Sequence, residues 1–363
     1  MPRPAKVSSD SIDMLQVAKM FYREGLTKLD IADNLRIDPR TVSATLKRAI
    51  DTGMVHIEIR ETQGNTSLKE QIGRKYPHIL DIKILPTSGI VENKDQYFEM
   101  LQRFGKVAAD LLDNMIERQE RDRPFRVGIS GGETLLEFVN AVPERLRANL
   151  HVHAVAVVPH GPSKMYASGV DPTINSTILW AKSGRRADHC HFTTIAPYDT
   201  KEKGARAHNF IQAQRAELAK NSTIKTVIEG MQNLDVVFTG LGTFTRPGPG
   251  FEFMNARLTT MSVLQPQLKI KDFVKLKAVG DLGYCLIDAN GESNDDWRFF
   301  PSIGDYSHYK GVKYYRHMVQ RKKPVVAIAG PFRLDPIKAA LRGKLINILI
   351  TDDVTAQQIA EGD

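Results

Sequence analysis

Phe125-Arg-Val-Gly-Ile-Ser-Gly-Gly-Glu-Thr-Leu-Leu-Glu-Phe-Val139 is the stretch that decides the fold of most of the chain. It reads as a strand that runs through Ser130-Gly-Gly into a helix. Backbone N–H groups at such a helix start, with the Ser130 and Thr134 hydroxyls, make a cradle for an anion or a sugar hydroxyl. A glycine pair after a strand is often no more than a tight connection. Here similar punctuation recurs: Gly240-Leu-Gly242 after Val236–Thr239, Gly280-Asp281 after Val274–Val279, and Gly330-Pro-Phe-Arg333 after Val325–Ala329.

Working outward, strands are expected at Phe125–Ser130, His151–Val158, Leu234–Gly240, Val274–Asp281, Val325–Ala329 and Leu345–Ile350. Several are continuous apolar runs, as parallel strands buried on both faces are. A helix from about Asp95 to Gln119 carries Tyr97, Leu101, Phe104, Ala108, Leu111 and Met115 on one stripe. Strand, glycine turn and helix in succession argue an α/β, doubly wound, Rossmann-like domain. In an open sheet of this kind the C-terminal strand ends converge on one crevice, where ligands bind.

The first sixty residues read differently. Ser8-Ser9-Asp10 offers N-cap chemistry, Ile12, Leu15, Ala18 and Phe21 or Tyr22 recur at helical spacing, and Gly25 ends that helix. In Leu26–Ile50, Thr27 caps a short helix whose Ile31, Ala32 and Leu35 face inward. A turn through Arg36-Ile37 leads to Asp38, a second N-cap, with Pro39 at N1. The next helix should bury Val42, Leu46 and Ile50 and leave Arg40, Thr41, Ser43, Ala44, Thr45, Lys47 and Arg48 outside. Gly53 closes it, and Met54-Val-His-Ile-Glu-Ile59 alternates like a wing strand.

The second helix of such a pair fits the B-DNA major groove. Arg40 can fork onto guanine, Thr41 and Ser43 reach bases or phosphates, and Lys47 and Arg48 suit the backbone. With Thr27 and Ala44 these form the candidate DNA-contacting set. The rival is a packing unit with solvated charges, since residues 1–62 hold ten basic and nine acidic side chains. Most of the acids fall on the first two helices, away from the reading face. The polar stretch Glu61–Ser67 reads as a linker, dividing a helix-turn-helix domain (1–62) from an effector-binding and oligomerisation domain (63–363).

The bulk numbers exclude other classes. A chain of 363 residues with 42% hydrophobic and 25% charged residues is globular rather than disordered. No apolar run approaches the roughly 18 residues of a membrane span, no secretory signal is visible, and two cysteines fit a reducing cytoplasm. Fifty Lys plus Arg against forty-two Asp plus Glu give +8, a mild bias toward polyanions.

No Gly-x-Ser-x-Gly elbow, Walker loop or His-Glu-x-x-His motif is present. Asp188-His-Cys-His191 has a metal tetrad's composition, but neighbours in an extended segment point to opposite faces. His151 and His153 could share a strand face. Local histidines are the simpler reading, so neither metal nor cofactor is expected. The aromatic run Tyr306–Tyr315 reads as packing or subunit contact.

Taken with Gly25-Leu-Thr27, Ile31-Ala32, Thr41-Val-Ser43, Gly128–Thr134, Ala278-Val-Gly-Asp281, Ile287-Asp288, Ala329-Gly330 and above all Ala339–Asp352, the chain resembles the SorC-type sugar-binding transcriptional regulators of bacteria along nearly its whole length. The resemblance implies a winged helix-turn-helix joined to a domain similar to sugar-phosphate isomerases and glucosamine-phosphate deaminases. It also implies a homo-oligomer, usually a tetramer, whose operator binding a sugar or sugar phosphate alters, with repression as the working expectation.

On that resemblance Gly131, Gly132 and Thr134 hold one end of the ligand, His160-Gly161 forms the next loop, and Asp281 meets sugar hydroxyls. Ala329-Gly330-Pro-Phe-Arg333 stands where relatives carry Ala-Gly-Gly-x-x-Lys. Glu133 is a second departure, inside the glycine loop. The candidate effector set is Ser130, Gly131, Gly132, Glu133, Thr134, His160, Gly240, Gly242, Asp281 and Arg333, with a sugar, polyol or sugar phosphate as ligand. The rival is a sugar-phosphate isomerase or deaminase using Glu133 and Asp281 as its acid and base.

Overall fold

The computed structural model describes residues 13–24, 26–55, 63–87, 91, 93–118, 123–143, 150–154, 172–183, 189–190, 220, 222, 230, 232–244, 275, 277–293 and 312–362. Its contacts divide the chain into two units, Met1–Thr62 and Gln63–Asp363.

In the first unit three helices pack on one another: α1 (Met14–Tyr22), α2 (Lys28–Leu35) and α3 (Pro39–Asp51). Val17, Ile31, Ala32, Val42 and Leu46 form its core. Asp13 caps α1, accepting from Leu15 N at 2.9 Å. Val17 and Ala18 are its buried residues, and the expected Leu15 and Tyr22 lie outward at 45% and 42% exposure. On α3, Ile50 is likewise turned out while Ala49 and Thr45 are buried. Helical period fixes a face only to within about one residue, and the partners' positions choose between neighbours. Residues 8–10, Ile12, Gly25 and wing residues 56–59 lie outside the described residues.

The second unit opens with α4 (Gln63–Lys75), so the expected linker from Gln63 onward is helix instead. Its polar first turns face solvent, and Ile72 and Tyr76 anchor its far end in the core. Then follow β1 (Asp81–Leu85), α5 (Lys94–Glu117), β2 (Phe125–Ile129), α6 (Glu133–Ala141), β3 (Leu150–Ala154), α7 (Pro172–Lys182), β4 (His189–Cys190) and β5 (Val236–Thr243). The C-terminal part holds β6 (Gly280–Leu282), β7 (Cys285–Ile287), α8 (Val312–Gln320), β8 (Val325–Ile328), α9 (Leu334–Arg342), β9 (Ile348–Asp352) and α10 (Asp353–Glu361).

The strands run parallel in the order β1-β9-β8-β5-β2-β3-β4, with the switch in direction between β5 and β2. Alternate residues feed two cores, one on each face. Val237, Val325, Ala327 and Leu349 meet α4, α8, α9 and α10. Val236, Phe238, Val326, Ile328 and Ile350 meet α5, α6 and α7. This double burial explains the uninterrupted apolar runs. Edge strand β1, Asp-Ile-Lys-Ile-Leu, has only Ile82 fully buried, and its charges hid it from the sequence reading.

Two expectations are corrected. Val274–Asp281 is not a parallel strand: of its described residues only Gly280 and Asp281 are strand, and β6 pairs antiparallel with β5 and β7. Gly240-Leu-Gly242 is not a turn after a strand, because β5 continues through it to Thr243. Glycine is required at Gly280, where a Cβ would run into the Gly242 carbonyl oxygen and lie 2.7 Å from the Pro336 ring.

At the opposite end of the strands, Asp235 ties three segments together. Its carboxylate accepts from Arg126 N at 3.0 Å, Arg123 Nη2 at 2.9 Å and Lys323 Nζ at 3.0 Å. Asn347 makes a second clasp, accepting from Val325 N at 2.7 Å and donating to Lys323 O at 3.0 Å.

Candidate functional site

The DNA-facing candidates sit on α2 and α3. Thr27 and Asp30 close a capping box: Asp30 N donates to Thr27 Oγ1 at 3.1 Å and Thr27 N to Asp30 Oδ2 at 3.1 Å. The Thr27 hydroxyl also donates to Asp30 Oδ2 at 2.6 Å, and these bonds hold the Asp30 carboxyl below its usual pKa. Arg36 takes a left-handed conformation, φ 54°, and Ile37 N returns to Ala32 O at 2.9 Å. Asp38 then caps α3 through Arg40 N at 2.7 Å, with Pro39 at its first position.

Caps and turn thus fix the start of α3 with bonds local in sequence. Arg40, Ala44, Lys47 and Arg48 are exposed, with Thr41 and Ser43 half-buried beside them. Arg40, Ala44 and Lys47 stand at helical spacing along one stripe. Thr45, expected outside, is buried at 8% exposure.

The second set gathers where β2 and β5 end. Ser130 N donates to Phe238 O at 3.1 Å, and Gly240 N donates to the Ser130 hydroxyl at 3.4 Å. The Ser130 hydroxyl is also 3.3 Å from Thr239 Oγ1, a bond buried in the sheet. Gly132, at φ 116°, leads into α6, a backbone conformation that favours glycine. Beyond it the first N–H groups of α6 have no intrahelical acceptor, as at every helix start. Glu133 and Thr134 are half-buried in that first turn. Burial raises the Glu137 carboxyl's pKa, and the charge of Glu133 one turn away adds to the rise.

Gly242 pairs with Asp281 across the β5–β6 hairpin. Asp281 is buried at 3% exposure, with Oδ1 accepting from Tyr284 N at 3.2 Å. Arg333 is buried at 7% exposure and turned onto the protein. Its Nε donates to Leu241 O at 2.9 Å, Nη1 to Pro331 O at 3.2 Å and Nη2 to Tyr97 Oη at 3.0 Å. The guanidinium carbon lies 5.9 Å from the Tyr97 ring centre. So Ser130–Thr134, Gly240, Gly242, Asp281 and Arg333 are joined through β5 and its neighbours. His160 lies outside the described residues.

The sequence reading missed Asn175. This fully buried residue of α7 donates from Nδ2 to Ser130 O at 3.2 Å and Gly132 O at 3.4 Å, so it spans the glycine loop. An amide between Ile174 and Leu179 on an otherwise apolar face was the signal, but no motif marks it. His153 is buried with its ring against Gly230, while His151 is half-exposed. Tyr314 and Tyr315 pack in the core, as the reading of that run as packing expects. Among the described residues no His, Cys, Asp or Glu cluster could hold a metal. Asp188, His191 and the side chains of the two residues between them lie outside what is described.

A helix-turn-helix unit ahead of a doubly wound domain with a glycine-lined crevice is the class this chain presents. The family model "Putative sugar-binding domain" matches residues 210–361. The chain is 22% identical over 361 residues to the sorbitol operon regulator of Klebsiella pneumoniae, covering 96% of this chain and 98% of that one. It is 22% identical over 347 residues to the transcriptional regulator LsrR of Enterobacter sp. (strain 638), covering 95% and 91%. Its fold matches the full-length sorbitol operon regulator SorC of Klebsiella pneumoniae with a TM-score of 0.61 at 20% identity, over 96% and 98% of the two chains. The resemblance to SorC-type sugar-binding regulators is borne out.

Proposed function

We propose that this chain is a sequence-specific DNA-binding transcriptional regulator whose operator binding is controlled by a sugar-derived effector in the crevice beside Gly131 and Gly132. The observation that carries it is α3: a doubly capped turn presents the exposed stripe Arg40, Ala44 and Lys47, in one chain with a sugar-binding-type domain. The relatives matched along the whole chain are regulators, and so is this protein, rather than the isomerase or deaminase considered above.

Arg40→Ala should weaken specific binding by roughly 1–3 kcal/mol and relax one base position. Lys47→Ala should instead weaken binding on every sequence and flatten the salt dependence. Gel shifts on operator and random duplexes at several salt concentrations separate the two. If neither change appears, α3 is not the reading helix.

The effector reading rests on the glycine loop. Gly131, Gly132 and Thr134 offer backbone N–H and hydroxyl groups, Ser130, Gly240 and Gly242 shape the floor, and Asp281 accepts from sugar hydroxyls. Arg333 braces the crevice wall by holding Leu241 O, and Glu133 and His160 border the opening. A thermal-shift panel of sugars, polyols and sugar phosphates tests this, because a specific ligand raises the melting temperature by mass action. Asn175→Ala should diminish the response of the true effector by loosening the loop. A panel without any saturable shift would count against the crevice.

A single helix-turn-helix contacts few bases, so a twofold pair on a palindromic site supplies the specificity. The protein acts in the cytoplasm as a dimer or tetramer assembled through its large domain. Light scattering at micromolar concentration should report at least a dimer, and a monomer with and without DNA would contradict this. No helix among the described residues is long and apolar enough to cross a membrane.

A further inference from the structure

A cleft of about 430 Å³ opens at the C-terminal ends of β1, β8 and β9. Thr87 follows β1, Pro331 and Phe332 follow β8, and Asp352 ends β9. Val91 stands opposite, and the first turns of α9 and α10 complete the wall with Leu334, Asp335, Val354 and Thr355. The volume lies within the range of small-molecule sites, and apolar walls with a few polar groups are their usual lining.

Arg333 separates this cleft from the glycine crevice. Its guanidinium is turned to Leu241 O and Tyr97, while Pro331 and Phe332 before it line the cleft. Phe332 holds a left-handed φ of 68°, a cost that a non-glycine residue bears where the surroundings fix the loop.

Charge decides the ligand. Two helix N-termini meet here, each equivalent to about half a positive charge. Against them stand two lining carboxylates, and none of the described lining residues is Lys, Arg or His. Asp352 is fully buried, its oxygens accepting from Thr355 N and Thr355 Oγ1 at 2.7 Å each, and burial raises its pKa. Asp335 is exposed at the rim. Full charges outweigh half charges, so the cleft is net acidic.

We propose that this cleft is a second binding site, for a small organic ammonium whose apolar body sits against Val91, Phe332, Leu334 and Val354 and whose charge lies toward Asp335 and Asp352. It is separate from the sugar reading and stands or falls without it.

The probe is benzylamine, protonated at neutral pH, with benzyl alcohol and benzoate as neutral and anionic counterparts, titrated into the full chain by ligand-observed NMR. The ammonium should bind roughly fivefold more tightly than the alcohol, the worth of one partly exposed ion pair, and benzoate should not bind. Val354→Trp, at a position 43% exposed, should plug the cleft and abolish binding while the thermal midpoint holds. Asp335→Asn, a rim change with little folding risk, should bring ammonium and alcohol together. Equal binding of all three probes, preference for benzoate, or no binding at millimolar concentration overturns the proposal. So does ammonium binding that survives both variants, because the probe then sits elsewhere.

Discussion

Gly105→Ala should destabilise the large domain by roughly 1–3 kcal/mol, although alanine is the better helix former by about 1 kcal/mol. Gly105 lies inside α5 where that helix crosses α6. A Cβ there would stand 2.6 Å from both the carbonyl carbon and oxygen of Glu137 and 2.8 Å from Phe138 N. These are backbone atoms, so no side chain can turn aside, and α6 itself must move. Gly73→Ala in α4 is the control, because a Cβ there meets nothing within 4 Å. It should gain about 0.5 kcal/mol through propensity and a less flexible unfolded chain. Urea melts of the two variants should therefore shift in opposite directions. The Gly105 change should also weaken effector binding, because α6 carries the Gly132–Thr134 cradle at its start. Equal shifts of the two variants would show that α6 yields without cost.

Asp235→Ala should cost roughly 2–3 kcal/mol near neutral pH, the range of hydrogen bonds to a charged group. The carboxylate is 5% exposed, but Arg123 and Lys323 are 51% and 33% exposed, so solvent screening holds the loss below that of a fully buried pair. Burial by itself would raise the pKa of Asp235. The Arg126 N–H, the Lys323 ammonium and the Arg123 guanidinium together outweigh it and lower the pKa. A carboxyl whose folded pKa lies below its unfolded value stabilises fully above the unfolded value, and that contribution fades as pH falls through the folded one. The gap between wild type and variant should thus be widest above about pH 5 and close in acid. A pH-independent gap would mean that Asp235 acts through packing rather than charge.

Much of the small unit was legible because its signals are local. Thr27 with Asp30, and Asp38 with Pro39, need only residues within three positions to make their caps. The loop at Ser130-Gly-Gly was legible for a similar reason: a strand entering a helix through a left-handed backbone needs glycine there whatever surrounds it. The uninterrupted Val, Ile and Leu runs declared strands buried on both faces, and with them the doubly wound class.

Tertiary structure decided what depends on distant partners. Whether Ala49 or Ile50 enters the core of the first unit was set by where α1 and α2 lie, not by helical period. Gly240-Leu-Gly242 became strand rather than turn because β6 returned to pair with it. Asn175 clamps a loop 45 residues away, and Arg333 turns to a tyrosine 236 residues away. A motif records which side chain stands beside a loop. The direction of a guanidinium is set by whichever buried acceptors the folded sheet leaves for it, since a charge buried without partners costs more than any local preference returns.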